Sequence, residues 1–308
     1  MRVAVVDIGT NSTRLLIADV DAGAGTVTEL LRRSEVTRLG EGVDASGTLS
    51  EEAAGRVFAR LAEYREEIDA RACEANMAVL TSAVRDAANG AAFAERVRSD
   101  YGLDARVLSG EEEAQLTFLG AMSGRPENSE PIVVIDIGGG STEFVIGRGR
   151  SAGFHVSLPI GVVRMSERHI RSDPPAPAEL QELAREVQEL LAHGIPQRER
   201  AAVRGAIAVA GTATSAAAID QELDPYDPER VDGYELMLAT VELLLARLAD
   251  MDEEARRDVV GLDPDRAPTI VAGMVVLAEA MQAFGLERVE VSEHDILHGG
   301  ALRLAGAG

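Results

Sequence analysis

One pattern occurs twice in the chain. Residues 3–20 read VAVVDIGTNSTRLLIADV and residues 133–149 read VVIDIGGGSTEFVIGRG, so Asp7 stands with Asp136, Gly9 with Gly138, and Ser12-Thr13 with Ser141-Thr142. Each copy is an apolar, β-branched run that ends in an aspartate, turns through glycine and hydroxyl residues, and resumes as a second apolar run, the pattern of a β-hairpin. Glycine in such a turn permits positive φ and lets backbone N–H groups approach an anion without a Cβ in the way. The spacing therefore predicts two phosphate cradles, one at Thr10, Asn11 and Ser12 and one at Gly138, Gly139, Gly140, Ser141 and Thr142. The aspartate at each strand end supplies the hard oxygen that a phosphate-bound Mg²⁺ takes as a ligand. A duplicated loop inside matched strands implies two related half-molecules.

At 308 residues the chain accommodates one large or two medium domains, and the repeat favours two. It has no run of about 18 apolar residues, and Met1-Arg2 leads straight into a strand, so a cytoplasmic protein with no membrane partner is expected. The single Cys73 leaves no intrachain disulfide and no multi-cysteine metal site. All 30 basic residues are arginine, which excludes the lysine of a Walker-type phosphate loop. A formal net charge of −22 argues against nucleic acid or an anionic membrane as partner. The loops nevertheless ask for an anion. A carboxylate about 4 Å from a phosphate oxygen costs about 4 kcal/mol at an effective dielectric near 20, so the site needs a divalent cation and well-placed arginines.

Strand and helix patterns alternate along the chain. After the first hairpin come a strand over 26–37, a glycine-rich loop over 40–47, and a helix capped by Ser50 with Glu51 and Glu52 in its first turn, running to about Arg71. Strand 77–82, helix 91–101, strand 105–108 and a helix from Ser109 to about Met122 follow. The stretch SGRPENSEP over 123–131 reads as a linker, so domains 1–123 and 124–308 are expected, the last residues packing back on the first. The second half continues with strand 154–158, helix 177–193, strand 206–210, a loop GTATS over 211–215, helices around 233–250 and 269–284, and strand 289–291. This alternation predicts helix-covered α/β sheets.

The segments VVDIGTNSTRL, TSAVRDAAN, LSGEEEAQL, VIDIGGGSTEFVIG and VAGTAT, in that order and spacing, resemble the exopolyphosphatase/guanosine pentaphosphate phosphohydrolase family of the actin/Hsp70/sugar-kinase superfamily. The resemblance implies two ribonuclease-H-like α/β domains with an interdomain active-site cleft, in the short two-domain form, and a homodimeric phosphoanhydride hydrolase. It implies Mg²⁺ (or Mn²⁺) as cofactor and inorganic polyphosphate as substrate, with guanosine tetra- or pentaphosphate as inhibitor or alternative substrate.

Such hydrolysis needs an in-line water, a base for it, and positive charge on the phosphate oxygens. By resemblance, Glu113 is the catalytic glutamate, with an offset of one to Glu112 left open; Glu111 and Glu112 read better as a negatively charged helix start. Arg85 matches an arginine that reaches the scissile phosphate, with Asn89 one helical turn further on. Asp136 and Glu143 match the Mg²⁺ site, to which Asp7 adds a ligand. Position 14 is arginine where position 143 is glutamate, so one loop gained a cation arm and the other a metal ligand. Gly211 and Thr212 form a third loop that closes over the distal phosphate or nucleoside. Where many members read VSxxGLREG, this chain reads VSEHDILHGG, with Leu297 at the arginine position that some members use for guanosine phosphates; this favours linear polyphosphate. His294 and His298, four apart, lack a nearby third ligand for a metal. Two other classes compete: a kinase of the same fold, betrayed by ATP-dependent phosphate transfer, and a noncatalytic guanosine phosphate sensor, betrayed by binding without phosphate release.

Overall fold

The computed structural model describes residues 1–125, 130–149 and 151–306. Four residues of the expected linker, 126–129, lie outside the described residues. The chain forms two compact units, Met1–Pro126 with His294–Gly308, and Glu127–Glu293.

The first unit runs β1 (Arg2–Ile8), β2 (Ser12–Asp21), β3 (Thr26–Val36), α1 (Val43–Ser46), α2 (Glu51–Ala70), β4 (Ala75–Leu80), α3 (Ser82–Asp86), α4 (Gly90–Tyr101), β5 (Ala105–Val107) and α5 (Gly110–Ala121). Its sheet has the order β3-β2-β1-β4-β5, with β1, β2 and β3 antiparallel and β4 and β5 parallel to β1. β1 lies at the centre and is covered on both sides, which is why its sequence is an unbroken apolar run rather than an alternation. Ala4, Val6 and Ile8 share a core with Val57, Phe58 and Leu61 of α2 and Phe93 of α4, whereas Val3 and Val5 belong to the opposite face. Ser50 caps α2 through its hydroxyl, which accepts from the Ala53 amide at 3.1 Å.

The second unit runs β6 (Ile132–Ile137), β7 (Thr142–Arg148), β8 (Ser151–Leu158), α6 (Val162–His169), α7 (Pro177–Gly194), α8 (Gln197–Ala202), β9 (Gly205–Val209), α9 (Ala210–Asp220), α10 (Pro228–Val231), β10 (Glu235–Met237), α11 (Leu238–Ala249), α12 (Glu253–Arg257), a 3-10 turn (Pro264–Arg266), α13 (Ile270–Phe284) and β11 (Arg288–Val291). Its sheet order is β10-β11-β9-β6-β7-β8. Without the edge strand β10, the order β11-β9-β6-β7-β8 repeats β5-β4-β1-β2-β3, with the same antiparallel hairpins and the same parallel pairs. The duplicated hairpin is thus the centre of both sheets. Leu183, Val187 and Leu191 of α7 and Val271, Met274 and Val275 of α13 fill one core with Val133, Ile135 and Phe144 of the strands.

The chain ends in α14 (Ile296–Leu304), which belongs to the first unit; its Leu297, Ala301 and Leu302 pack with Val3, Val5 and Leu16. The sequence reading assigns no element beyond strand 289–291, and Gly299-Gly300 weakens the local helix signal of α14. Packing requires those glycines: a Cβ on Gly299 would lie 1.8 Å from the Leu116 carbonyl oxygen of α5. The expected loop over 211–215 is instead the start of α9, and the helix expected from 233 starts at Leu238, because Glu235–Met237 pairs with β11. No helix among the described residues is long and apolar enough to cross a membrane.

Candidate active site

The two hairpins carry the same turn. The Gly9 amide donates to the Ser12 carbonyl at 2.9 Å, and the Gly138 amide donates to the Ser141 carbonyl at 3.0 Å. In the first loop the Thr10 carbonyl accepts from the Gly40 amide (2.8 Å), and the Asn11 carbonyl accepts from the amides of Thr37 (2.9 Å) and Arg38 (2.8 Å). In the second, the amides of Val162 (2.9 Å) and Val163 (2.8 Å), at the start of α6, donate to the carbonyls of Gly138 and Gly139. A trans peptide points its C=O and N–H in opposite directions. With these carbonyls drawn to one side, the N–H groups of Asn11 and Ser12, and of Gly139 and Gly140, are turned to the other, as an anion cradle requires. The second loop is pressed against its support: a Cβ on Gly161 would lie 2.4 Å from backbone atoms of Gly139 and Gly140.

The residues facing each other across the hairpins differ in charge. Asp7 pairs with Arg14 in register, and Asp136 pairs with Glu143. Asp7 is buried, and its Oδ2 accepts from Arg14 Nε (2.9 Å) and Nη2 (2.6 Å). Its Oδ1 is buried without a hydrogen-bond partner among the described residues. Burial raises the Asp7 carboxyl above its usual range, outweighing the lowering effect of Arg14. Arg14 also donates through Nη1 to Asp295, so the expected cation arm is braced between two carboxylates rather than extended on its own. In the second hairpin both partners are acidic and both buried. Glu143 Oε1 accepts from the hydroxyls of Ser141 (2.7 Å) and Ser157 (2.6 Å). Like charges placed directly opposite each other on neighbouring strands repel, so this pair suits a hard divalent cation that would neutralise both. Among the described residues no three or more His, Cys, Asp or Glu side chains gather as a metal-holding group. Of the expected ligands Asp7, Asp136 and Glu143, Asp136 and Glu143 face each other across the second hairpin, and Asp7 is engaged by Arg14 across the first.

The first loop is tied to the candidate base through α3. Thr10 Oγ1 lies 2.9 Å from Ser82 Oγ in a buried hydrogen bond, and three residues on, Arg85 Nη1 donates to Glu113 Oε2 at 2.8 Å and to the Leu108 carbonyl at 3.0 Å. Glu113 is buried near the start of α5. Glu112 has a different task. Its Oε2 accepts from the backbone amide and the hydroxyl of Ser109, both at 2.9 Å, while the Ser109 hydroxyl accepts from the Glu112 amide at 3.2 Å, a capping box. The bonds from Ser109, the backbone N–H foremost, hold the Glu112 carboxyl below its usual range. Asn89 does not join the pair; its amide clamps the backbone of Leu49, accepting and donating at 2.9 Å.

The third element begins where β9 enters α9. Ala210 adopts a left-handed φ of 65°, which turns the chain so that Gly211 and Thr212 lie in the first turn of the helix. A Cβ on Gly211 would lie 1.7 Å from Arg266 Nη1, so the Arg266 guanidinium lies directly over this position. Thr212 is buried against α13, where a Cβ on Gly273 would lie 2.7 Å from its hydroxyl. A profile of the Ppx/GppA phosphatase family matches residues 16–305.

The chain belongs to the Ppx/GppA phosphatase family. It is 37% identical to exopolyphosphatase 2 of Mycobacterium tuberculosis over 99% of both chains. The crystal structure of the Aquifex aeolicus Ppx/GppA family member is similar at a TM-score of 0.82, with 31% identity over 99% of this chain and 97% of that one. An exopolyphosphatase from Cytophaga hutchinsonii is similar at 0.89, with 25% identity over 99% of this chain and 98% of that one. The fold is accordingly that of two actin-like α/β domains, and the protein is a phosphoanhydride hydrolase.

Within this Ppx/GppA chain, three site neighbours carry no mark in the sequence. Arg266 sits in a PDRAP segment with no motif of its own, and only tertiary contact brings it over Gly211. Ser157 reaches Glu143 because β8 pairs with β7, and Asp295 reaches Arg14 across 281 positions. Leu297 and His298 are both fully buried; Leu297 packs in the core, and His298 Nε2 lies 3.1 Å from Glu29 Oε1 with its ring stacked on His294. Leucine at 297 therefore has a packing reason of its own.

Proposed function

We propose that this phosphoanhydride hydrolase is an exopolyphosphatase, releasing terminal phosphate from inorganic polyphosphate. The observation that carries the reading is the pair of half-buried Arg85 with buried Glu113, tied through α3 and Ser82 to the first phosphate loop. The backbone amides turned out of the two hairpin loops bind phosphate oxygens, and Arg14 and Arg85 meet the remaining charge. Gly211 and Thr212, with Arg266 over them, hold a further phosphate. Glu113 takes a proton from water as the water oxygen bonds to the terminal phosphorus, and the bond from that phosphorus to the chain oxygen breaks. Asp136 and Glu143 are the residues to hold Mg²⁺ or Mn²⁺, which when bound supplies positive charge to the phosphate oxygens. Named exopolyphosphatase relatives support linear polyphosphate over guanosine pentaphosphate. Guanosine tetra- and pentaphosphate are then competitive inhibitors, because the loops recognise phosphate first. A homodimer in the cytoplasm completes the proposal, and light scattering on the purified protein checks the dimer.

The test is phosphate release from polyphosphates of several lengths and from guanosine pentaphosphate, at identical salt and Mg²⁺. Higher kcat/KM on polyphosphate is expected. A clear preference for guanosine pentaphosphate overturns the substrate assignment while leaving the hydrolase.

A further inference from the structure

Asp295 stands at the N-terminal end of α14 and is almost fully buried, at 1% exposure. Its two oxygens have separate tasks. Oδ1 accepts from the Leu297 amide at 3.0 Å and caps the helix. Oδ2 receives Nη1 of Arg14 from β2 and lies 3.4 Å from Nη2 of Arg32 from β3. The backbone beneath it is clamped: a Cβ on Gly120 would lie 1.8 Å from the Asp295 carbonyl oxygen, so α5, the helix that carries Glu113, lies directly on this residue.

Capping alone does not account for this arrangement. An asparagine or serine caps as well as an aspartate, and neither brings a charge into the interior. A buried ionic network is also an inefficient source of stability compared with apolar packing, of which α14 has ample supply in Ile296, Leu297 and Leu302. What the second oxygen adds is orientation. Asp7 holds one edge of the Arg14 guanidinium through Nε and Nη2. A planar fork gripped by a carboxylate on one edge and by a second at its remaining nitrogen cannot swing about its terminal torsions.

We infer that Asp295 is a positioning residue for the phosphate site, holding the Arg14 guanidinium in the plane in which it meets substrate phosphate beside the first hairpin loop. The inference rests on the proposed role of Arg14 as a phosphate-binding cation. It gives the returning C-terminal helix a part in substrate recognition, through a side chain that touches no substrate itself.

The test is a two-by-two set of variants in the full chain, assayed for phosphate release from inorganic polyphosphate with saturating Mg²⁺. Asp295→Asn keeps the cap acceptor and the shape while removing the charge. It is expected to raise KM about tenfold with kcat within about twofold of the parent. In an Arg14→Gln background the same substitution is expected to change KM by less than about twofold, since its effect passes through Arg14. If Arg14→Gln by itself leaves KM unchanged, Arg14 is not a phosphate arm and the inference falls with that reading. If Arg14→Gln raises KM but Asp295→Asn does not, or if the two effects multiply in the double variant, Asp295 is structural only and the inference falls while Arg14 keeps its role. Asp295→Glu keeps the charge and displaces it by one methylene, so it serves where Asp295→Asn does not fold. A KM rise of about threefold, absent in the Arg14→Gln background, is expected; an equal rise in both backgrounds overturns the inference.

Discussion

Glu113→Gln separates the chemical role of α5 from its structural one. The amide is isosteric with the carboxylate, and its oxygen still accepts from Arg85 Nη1, which lies 2.8 Å from Glu113 Oε2 and is held from the other side by the Leu108 carbonyl. Arg85 therefore stays in place, and substrate binding should change little. What is lost is the ability to take a proton from water, and removal of a positioned general base lowers turnover by about 10²-fold or more, equivalent to about 2.7 kcal/mol of barrier. The control is one residue away. Glu112 is exposed and spends its carboxylate on the Ser109 amide and hydroxyl, so Glu112→Ala removes a capping box worth about 1 kcal/mol of stability and should leave kcat nearly unchanged. Steady-state phosphate release gives kcat and KM for both variants, and urea unfolding gives their stabilities. A crippled Glu112 variant beside an active Glu113→Gln variant would show that the base sits one residue earlier and that the Arg85 pair is only a structural contact.

Three further outcomes follow from the same geometry. Asp136→Ala with Glu143→Ala should abolish phosphate release, and the parent, stripped of metal, should recover activity on adding Mg²⁺ or Mn²⁺; full activity in excess chelator would rule out the metal role of that pair. Gly161→Ala places a Cβ 2.4 Å from the backbone of Gly139 and Gly140, so it should cost about 1–3 kcal/mol of stability and lower kcat/KM by distorting the second loop, as denaturant melts and kinetics will show. The Asp295 carboxyl, which burial alone would raise, is held down at about 2 by Arg14 first and then Arg32. A depressed carboxyl stabilises the fold above its unfolded value and loses that contribution as pH falls through the folded one. Between about pH 5 and 1 the parent should lose about 2 kcal/mol from this group, and Asp295→Asn should show a flatter acid-unfolding profile there; identical profiles would refute the assignment.

The sequence alone determined the features that are local in the chain. Alternating or unbroken apolar runs ending in Asp-x-Gly specify hairpins through the backbone preferences of adjacent residues, so both copies of the turn, and with them Asp7, Asp136 and Glu143, are legible in the order of the residues. Ser50 and Ser109 mark their helix starts for the same reason, since a cap needs only a hydroxyl and an amide within one turn. Tertiary structure decided what those side chains face. Arg14 reads as an arm pointing at phosphate, yet its guanidinium is shared between Asp7 across the hairpin and Asp295, 281 positions away. The glycines of α14 carry no evident purpose until α5 is laid against them, and Arg266 is an ordinary arginine until the fold seats it on Gly211. Local preferences act over a few residues and are written in neighbouring letters. Partners hundreds of positions apart are chosen only when the packed sheets and helices bring them within hydrogen-bond reach, where burial makes each unpaired charge too costly to leave alone.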